Sequence, residues 1–319
     1  MNKPGSMALL ALLCAVGCAE SKTLGEGTKG VNHDGPAVTS DADHASPAVA
    51  GSGAPELVEP LCNGTDQIRL GLLSSPGSFS VASYAFKYPF GGGLAVVDGR
   101  CRYFVDGPRL GGIRSGVLDE PTARALADEV GFHRLAEWQK QIESKSQSGG
   151  CFDGGSSIIR GPSASVSCMC SSCGADAPDG LQQAMEARQR WWTRLYDQGS
   201  PLSGPLRVAT ERENFVTSGT VDWMILAWPM SWPASQALAT TVPITMSSGA
   251  LTFSADAGLL IEDAADAATL RALRDRARVI PAVSDINVMD GDAGFRVYVR
   301  DELPDDVSEA IRAFSARSG

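Results

Sequence analysis

The chain has 319 residues, a hydrophobic fraction of 43% and a formal net charge of -10. That length suits one large or two ordinary domains, and the apolar content is sufficient for their cores. The acidic balance argues against nucleic acid as a partner, since a phosphate-binding groove needs a dense basic cluster; the nearest to one, Arg271 to Arg278, is broken by Asp275 and reads as the solvated face of a helix.

In chain order, the first stretch addresses the chain rather than folding it. Lys3 supplies a positive n-region, Met7 to Val16 is an apolar run too short to span a bilayer, and the small residues Ala15 and Gly17 lead into Cys18. Residues 1–17 therefore read as a secretory signal. With Cys18 directly after Gly17, the segment resembles the lipobox of bacterial lipoproteins, and the resemblance is confined to this leader. It implies that the Cys18 thiol is diacylated, that the preceding peptide is removed and that the new amino terminus is acylated, which makes the membrane a partner through a lipid anchor. Ala19 is not the Asp that resembles an inner-membrane retention signal in proteobacteria, so the implied location is the outer membrane, facing the periplasm or the outside.

From Ala19 to about Pro60 the chain is Gly, Ala, Ser, Pro, Asp and Thr with too few large apolar side chains to offset ordering entropy. Residues 18–60 read as a disordered tether, and a flexible coil of that length spans roughly 35 Å.

Folded structure is expected from near Cys62. Gln67 to Leu73 is strand-like, and β-branched and aromatic residues recur from Phe79 to Tyr88. Leu94 to Val97 and Cys101 to Val105 flank Asp98-Gly99, a strong hairpin signal. A strand at Ile113 to Leu118 precedes a helix capped by Asp119, opened by Glu120 and Pro121 and ended by Gly131, after which a second helical piece runs from Phe132 to Ile142. Beyond an exposed Ser/Gly-rich loop, Ser144 to Gly155, the runs Ser156 to Arg160 and Ser165 to Cys170 form a hairpin around Gly161-Pro162-Ser163. Leu181 to Asp197 is the clearest helix, with Leu181, Met185, Arg188, Trp192 and Leu195 on one stripe.

Pro201, Gly204 and Pro205 mark a boundary. Leu206 to Thr210 opens the second half, and the run Val221 to Trp228, apolar except for Asp222, suggests a strand buried on both faces. Leu251 to Ser254 and Leu259 to Glu262 read as strands, Asp263 to Ala277 as a helix. Asp285 to Met289 and Phe295 to Arg300 flank a turn, and a last helix begins at Pro304 with Val307, Ile311 and Phe314 in register. Strand, helix, hairpin and helix thus follow one another in both halves. This is the order of an α+β fold with two small domains, 61–200 containing cysteine and 201–319 free of it, each a mostly antiparallel sheet with helices packed on it.

Cys14 leaves with the leader and Cys18 takes lipid, so Cys62, Cys101, Cys151, Cys168, Cys170 and Cys173 remain. An even set in an oxidising compartment predicts disulfides, and a Cys62 to Cys101 bridge would pin the entry to the domain. The group from Cys151 to Cys173 has the residue types for zinc or an iron-sulfur cluster, and Cys170-Ser-Ser-Cys173 has C-x-x-C spacing. The ligand spacing is not that of a zinc knuckle, however, and no helix begins at Cys170, so structural disulfides are expected and no metal or cofactor.

Of the three histidines, His33 and His44 lie in the tether, and His133 at a helix end is the only one left to a Ser-His-Asp triad; neither G-x-S-x-G nor H-E-x-x-H occurs. Gly25 to Gly30 matches G-x-G-x-x-G without the strand and helix a dinucleotide site needs. Asp285 to Asp292 has calcium-loop residues at the wrong spacing, and a hairpin turn accounts for them. Trp223, Trp228 and Trp232 are candidate ligand contacts, weighed against core packing. The functional expectation is a membrane-anchored lipoprotein with a binding or envelope-structural role toward a protein or small molecule. The alternative is an envelope enzyme, or a thiol or metal protein, using the Cys151–Cys173 region.

Overall fold

The computed structural model describes residues 59–75, 84–87, 89–90, 92–107, 110–144, 155–169, 173–174, 176–215, 224–239, 241–243, 251–253, 256–280 and 285–316. The leader and all but the end of the expected tether lie outside the described residues, as do Cys18, Cys151, Cys170 and Trp223. Pro55–Gly319 forms one compact unit of α+β class built on two sheets.

The first sheet joins β1 (Ile68–Ser75), β2 (Gly93–Asp98), β3 (Arg102–Val105), β4 (Arg114–Val117), β5 (Ser156–Arg160), β6 (Ser165–Met169) and β7 (Ser200–Pro201) in the order 6-5-1-2-3-4-7. Each pairing is antiparallel. The apolar run of β2 is explained by cover on both faces: Ala95 and Val97 point to one core, Leu94 and Val96 to the other, at the period of two a strand dictates. Leu70 and Leu72 of β1 join the first core while Ile68 joins the second. A register shift between Ile68 and Leu70 turns the strand over at that point, which is what a β-bulge does.

The Asp98-Gly99 turn forms as expected. The Cys101 N–H donates to the Asp98 carbonyl (3.0 Å), and the Asp98 carboxylate accepts from the N–H groups of Arg100 (2.9 Å) and Arg102 (2.8 Å). Cys101 then takes the left-handed conformation (φ 63°), a position that usually favours glycine, and its disulfide to Cys62 ties the entering chain to the turn.

The first face carries three helices. α2 (Glu120–Glu129) starts where Asp119 accepts from the Thr122 N–H (2.8 Å), and Gly131 at φ 64° turns the chain into a 3-10 turn and then α3 (Leu135–Glu143). α4 (Leu181–Gln198) lays Leu181, Met185, Trp191 and Leu195 into the same core. Trp191 rather than the expected Trp192 is the buried indole; Trp192 sits one position round the helix and stays half-buried. Arg188, only 3% exposed, spends its charge on the Leu73 and Ile158 carbonyls, and burial pushes its pKa down to about 10.

The second sheet orders β12 (Leu259–Ile261), β8 (Leu206–Arg212), β14 (Ala293–Asp301), β13 (Ile286–Asp290) and β9 (Ile225–Ala227). All its pairings are antiparallel except β13 with β9, and β10 (Thr241–Pro243) and β11 (Leu251–Phe253) form a separate ribbon. α5 (Ala264–Arg278), capped by Asp263 on two N–H groups, covers one face with Ala267, Leu270, Leu273 and Ala277. The tight turn between β13 and β14 takes up the calcium-like aspartates, and the Asp290 carboxylate accepts from the Ala234 N–H (2.8 Å).

Three expectations are corrected. Val221 to Trp228 is not a strand buried on both faces: its described part forms the short edge strand β9, with Ile225 and Leu226 half-buried and Ala227 exposed. The described part of Phe79 to Tyr88 is a helical turn, α1 (Tyr84–Lys87), because Phe86 is drawn into a cluster with Ala209 and Tyr298. The arginines of Arg271 to Arg278 are not all solvated, for Arg274 is 7% exposed and ion-paired.

The two sheets exchange helices. α1, from the first half of the chain, packs on the second sheet through Phe86. α6 (Asp305–Ala316), the last helix, places Val307, Ile311 and Phe314 against Ile68, Leu94, Val96 and Phe104 of the first sheet. The boundary at 201 therefore separates the sheets but not the cores.

Candidate functional site

Where the exchanged elements pass one another they leave a cleft of about 230 Å³. Its apolar wall includes Phe90, Leu94, Leu110, Ile113 and Leu303, and its polar floor is built from the ends of β3 and β14 and from α5.

Asp301 organises one side. It is 3% exposed; Oδ1 accepts from Arg271 Nε (2.9 Å), and Oδ2 from Arg274 Nη1 (2.8 Å) and the Ile113 N–H (3.0 Å). A Cβ on Gly112 would overlap both the Arg274 guanidinium and the Asp301 carboxylate, so the loop can close over this pair only as glycine. Glu302, next in the strand, is held by Arg207 (2.9 Å) and Arg300 (2.6 Å). Arg300 also donates to the Phe86 carbonyl (2.8 Å), and Lys87 pairs with Asp285 (2.9 Å), which fastens α1 to the second sheet beside the cleft. Burial pushes the Tyr298 phenol up, with Glu211 adding to the effect.

Asp106, immediately after β3, is placed from two directions: its N–H donates to the Leu94 carbonyl (2.7 Å), and its carbonyl accepts from Trp192 Nε1 (2.9 Å). Half-buried, Asp106 lines the cleft, and its carboxyl receives the Gly107 N–H. Among the described residues no cationic nitrogen is in ion-pair contact with it. Burial pushes this carboxyl up to about 7, the Gly107 N–H lowers it, and the nearby Asp301 and Arg274 act in opposite senses. Such a group changes charge close to neutral pH.

Those residues singled out in the sequence that the structure describes lie elsewhere. Cys62 is bonded to Cys101, and Cys168 to Cys173. The second bond consumes two thiols of the Cys151–Cys173 group, so Cys168 and Cys173 are staples between the end of β6 and the approach to α4 rather than paired thiolates. Trp228 and Trp232 do come together, edge to face at 5.2 Å, but their indole N–H groups are engaged within the chain, by the Trp232 carbonyl (2.7 Å) and Asp266 (3.2 Å). They pack beside the second core and do not line the cleft. His133 is exposed on the turn before α3. Among the described residues no group of three or more His, Cys, Asp or Glu is placed to hold a metal ion, and no helix is long and apolar enough to cross a membrane.

Asp106, Arg274 and Asp301 were missed by sequence reasoning. Arg271 and Arg274 lie three residues apart on one helix face, a spacing that lets both reach Asp301, while Arg278 one turn on donates to the Tyr196 hydroxyl. Nothing local to Asp106 announces its position.

Comparison with known protein families, with curated proteins and with solved structures found no match.

Proposed function

We propose that this chain is a lipoprotein held at the bacterial outer membrane through Cys18, whose folded part binds a small molecule in the cleft between its two sheets. The observation that carries the reading is the cleft itself: a concave, partly apolar space with a few fixed polar groups, which is the usual form of a small-molecule site. The lipobox-like leader supports the anchor, and two signals of acylation would be enough for stable membrane attachment. The lining favours binding over thiol chemistry, since no cysteine among the described residues reaches it.

Both halves are open to test. Cys18→Ser should move the exported protein from the membrane pellet to the soluble fraction, and unchanged pelleting counts against the anchor. Leu110→Trp, which fills the cleft from its half-buried wall, should abolish saturable ligand binding measured by calorimetry while leaving the unfolding midpoint within a few degrees.

A further inference from the structure

The cleft's acids are not equivalent. Asp301 and Glu302 are each met by two arginines, Arg271 with Arg274 and Arg207 with Arg300. Asp106 has the Gly107 N–H and, among the described residues, no cation in ion-pair contact; Arg274 acts on it only through the field. Its backbone is fixed at both ends by Leu94 and Trp192, which holds its Cα at the cleft. We infer that the cleft takes a small organic cation, with its ammonium group against the Asp106 carboxylate and its apolar body against Phe90, Leu110 and Leu303. The inference rests on the proposed binding role and adds the charge class of the ligand.

The other charged groups around Asp106 fit this assignment. Arg274 faces it from α5 already engaged by Asp301 of β14, and the two act on it in opposite senses. Lys87 of α1 and Arg300 of β14 are bound to Asp285 and Glu302. Arg312 of α6 and Asp256 are exposed at the rim, where water and salt screen them. An ammonium therefore gives Asp106 the direct ion-pair partner that it does not find among the described residues. The raised pKa of Asp106 supports this: the unliganded site holds a proton where a cation would sit.

The test uses the exported protein and three matched probes, benzylamine, benzyl alcohol and benzoate, titrated by calorimetry at pH 6 and pH 8. Because the cation competes with a proton of pKa about 7, benzylamine should bind about tenfold more tightly at pH 8 than at pH 6. Asp106→Asn should remove both the pH dependence and the preference for the amine. This replacement keeps the side chain's shape and the neutral state the site already tolerates, and a matching circular dichroism spectrum checks its fold. Binding of benzoate or benzyl alcohol in preference to the amine overturns the charge assignment and leaves the cleft as a binding site. If none of the three binds at millimolar concentration, the inference and the binding reading fall together.

Discussion

A carboxylate taken out of water depends on the partners it finds, and the cleft holds a buried one, Asp301, and a half-buried one, Asp106, that found different ones. Asp301 keeps Arg271 and Arg274 in place and receives a backbone N–H; replacing it by Asn leaves two guanidinium groups in a poorly hydrated junction. Breaking a buried pair from one side costs about 3 to 5 kcal/mol. Asp301→Asn should lower the urea midpoint accordingly, and a loss under about 1 kcal/mol would show that the pair is effectively solvated. Asp106 acts in the other sense. Its folded pKa of about 7 lies above the ordinary 3.8, so between those values the native state holds a proton the unfolded chain has lost. Stability must then fall as pH rises from about 4 to about 7 and level off above, by roughly 1.4 kcal/mol per pKa unit at most. Asp106→Asn should flatten that part of the pH-stability curve; an unchanged slope would assign it to other groups.

Among the elements, those set by local chemistry were legible in the sequence. Asp119 and Asp263 cap their helices, Gly131 ends one, and the Asp98-Gly99 and Gly161-Pro162-Ser163 turns fall where their residues place them. What periodicity cannot reveal is the surface an apolar face meets. The stripe Val307, Ile311 and Phe314 announces a helix, yet its destination is the other half's sheet. The run ending at Trp228 looks like a central strand because Leu226 and Trp228 pack onto the second core from an edge. Phe86 is taken from a strand-like context into a helical turn by Tyr298, more than 200 residues later. The cleft was illegible for the same reason, since its walls come from both halves and meet only through the exchange. Phe314→Ala should cost about 3 to 5 kcal/mol, because the ring is 3% exposed and fills the space over β1 and β5. A value near zero in chemical denaturation would mean that α6 is not docked on the first sheet.

At the scale of the whole molecule, the exchange of α1 and α6 binds the two sheets into one body and creates the cleft as its by-product. Cysteine adds to the first half alone, where Cys62–Cys101 closes the entry; the second relies on its core and on the Asp301 and Glu302 clusters. The central claim is that the cleft, rather than the Trp228–Trp232 pair, is where a small molecule binds. The most direct measurement is nuclear magnetic resonance of the indole N–H groups, assigned by single Trp→Phe replacements, while small amines, alcohols, carboxylates and sugars are added in turn. Trp192 donates to the backbone of Asp106, whereas Trp228 and Trp232 are bonded to each other and to Asp266. A ligand in the cleft should move the Trp192 signal saturably and leave the other two in place. Movement of Trp228 and Trp232 with Trp192 unchanged would put the site on the tryptophan pair and contradict the account.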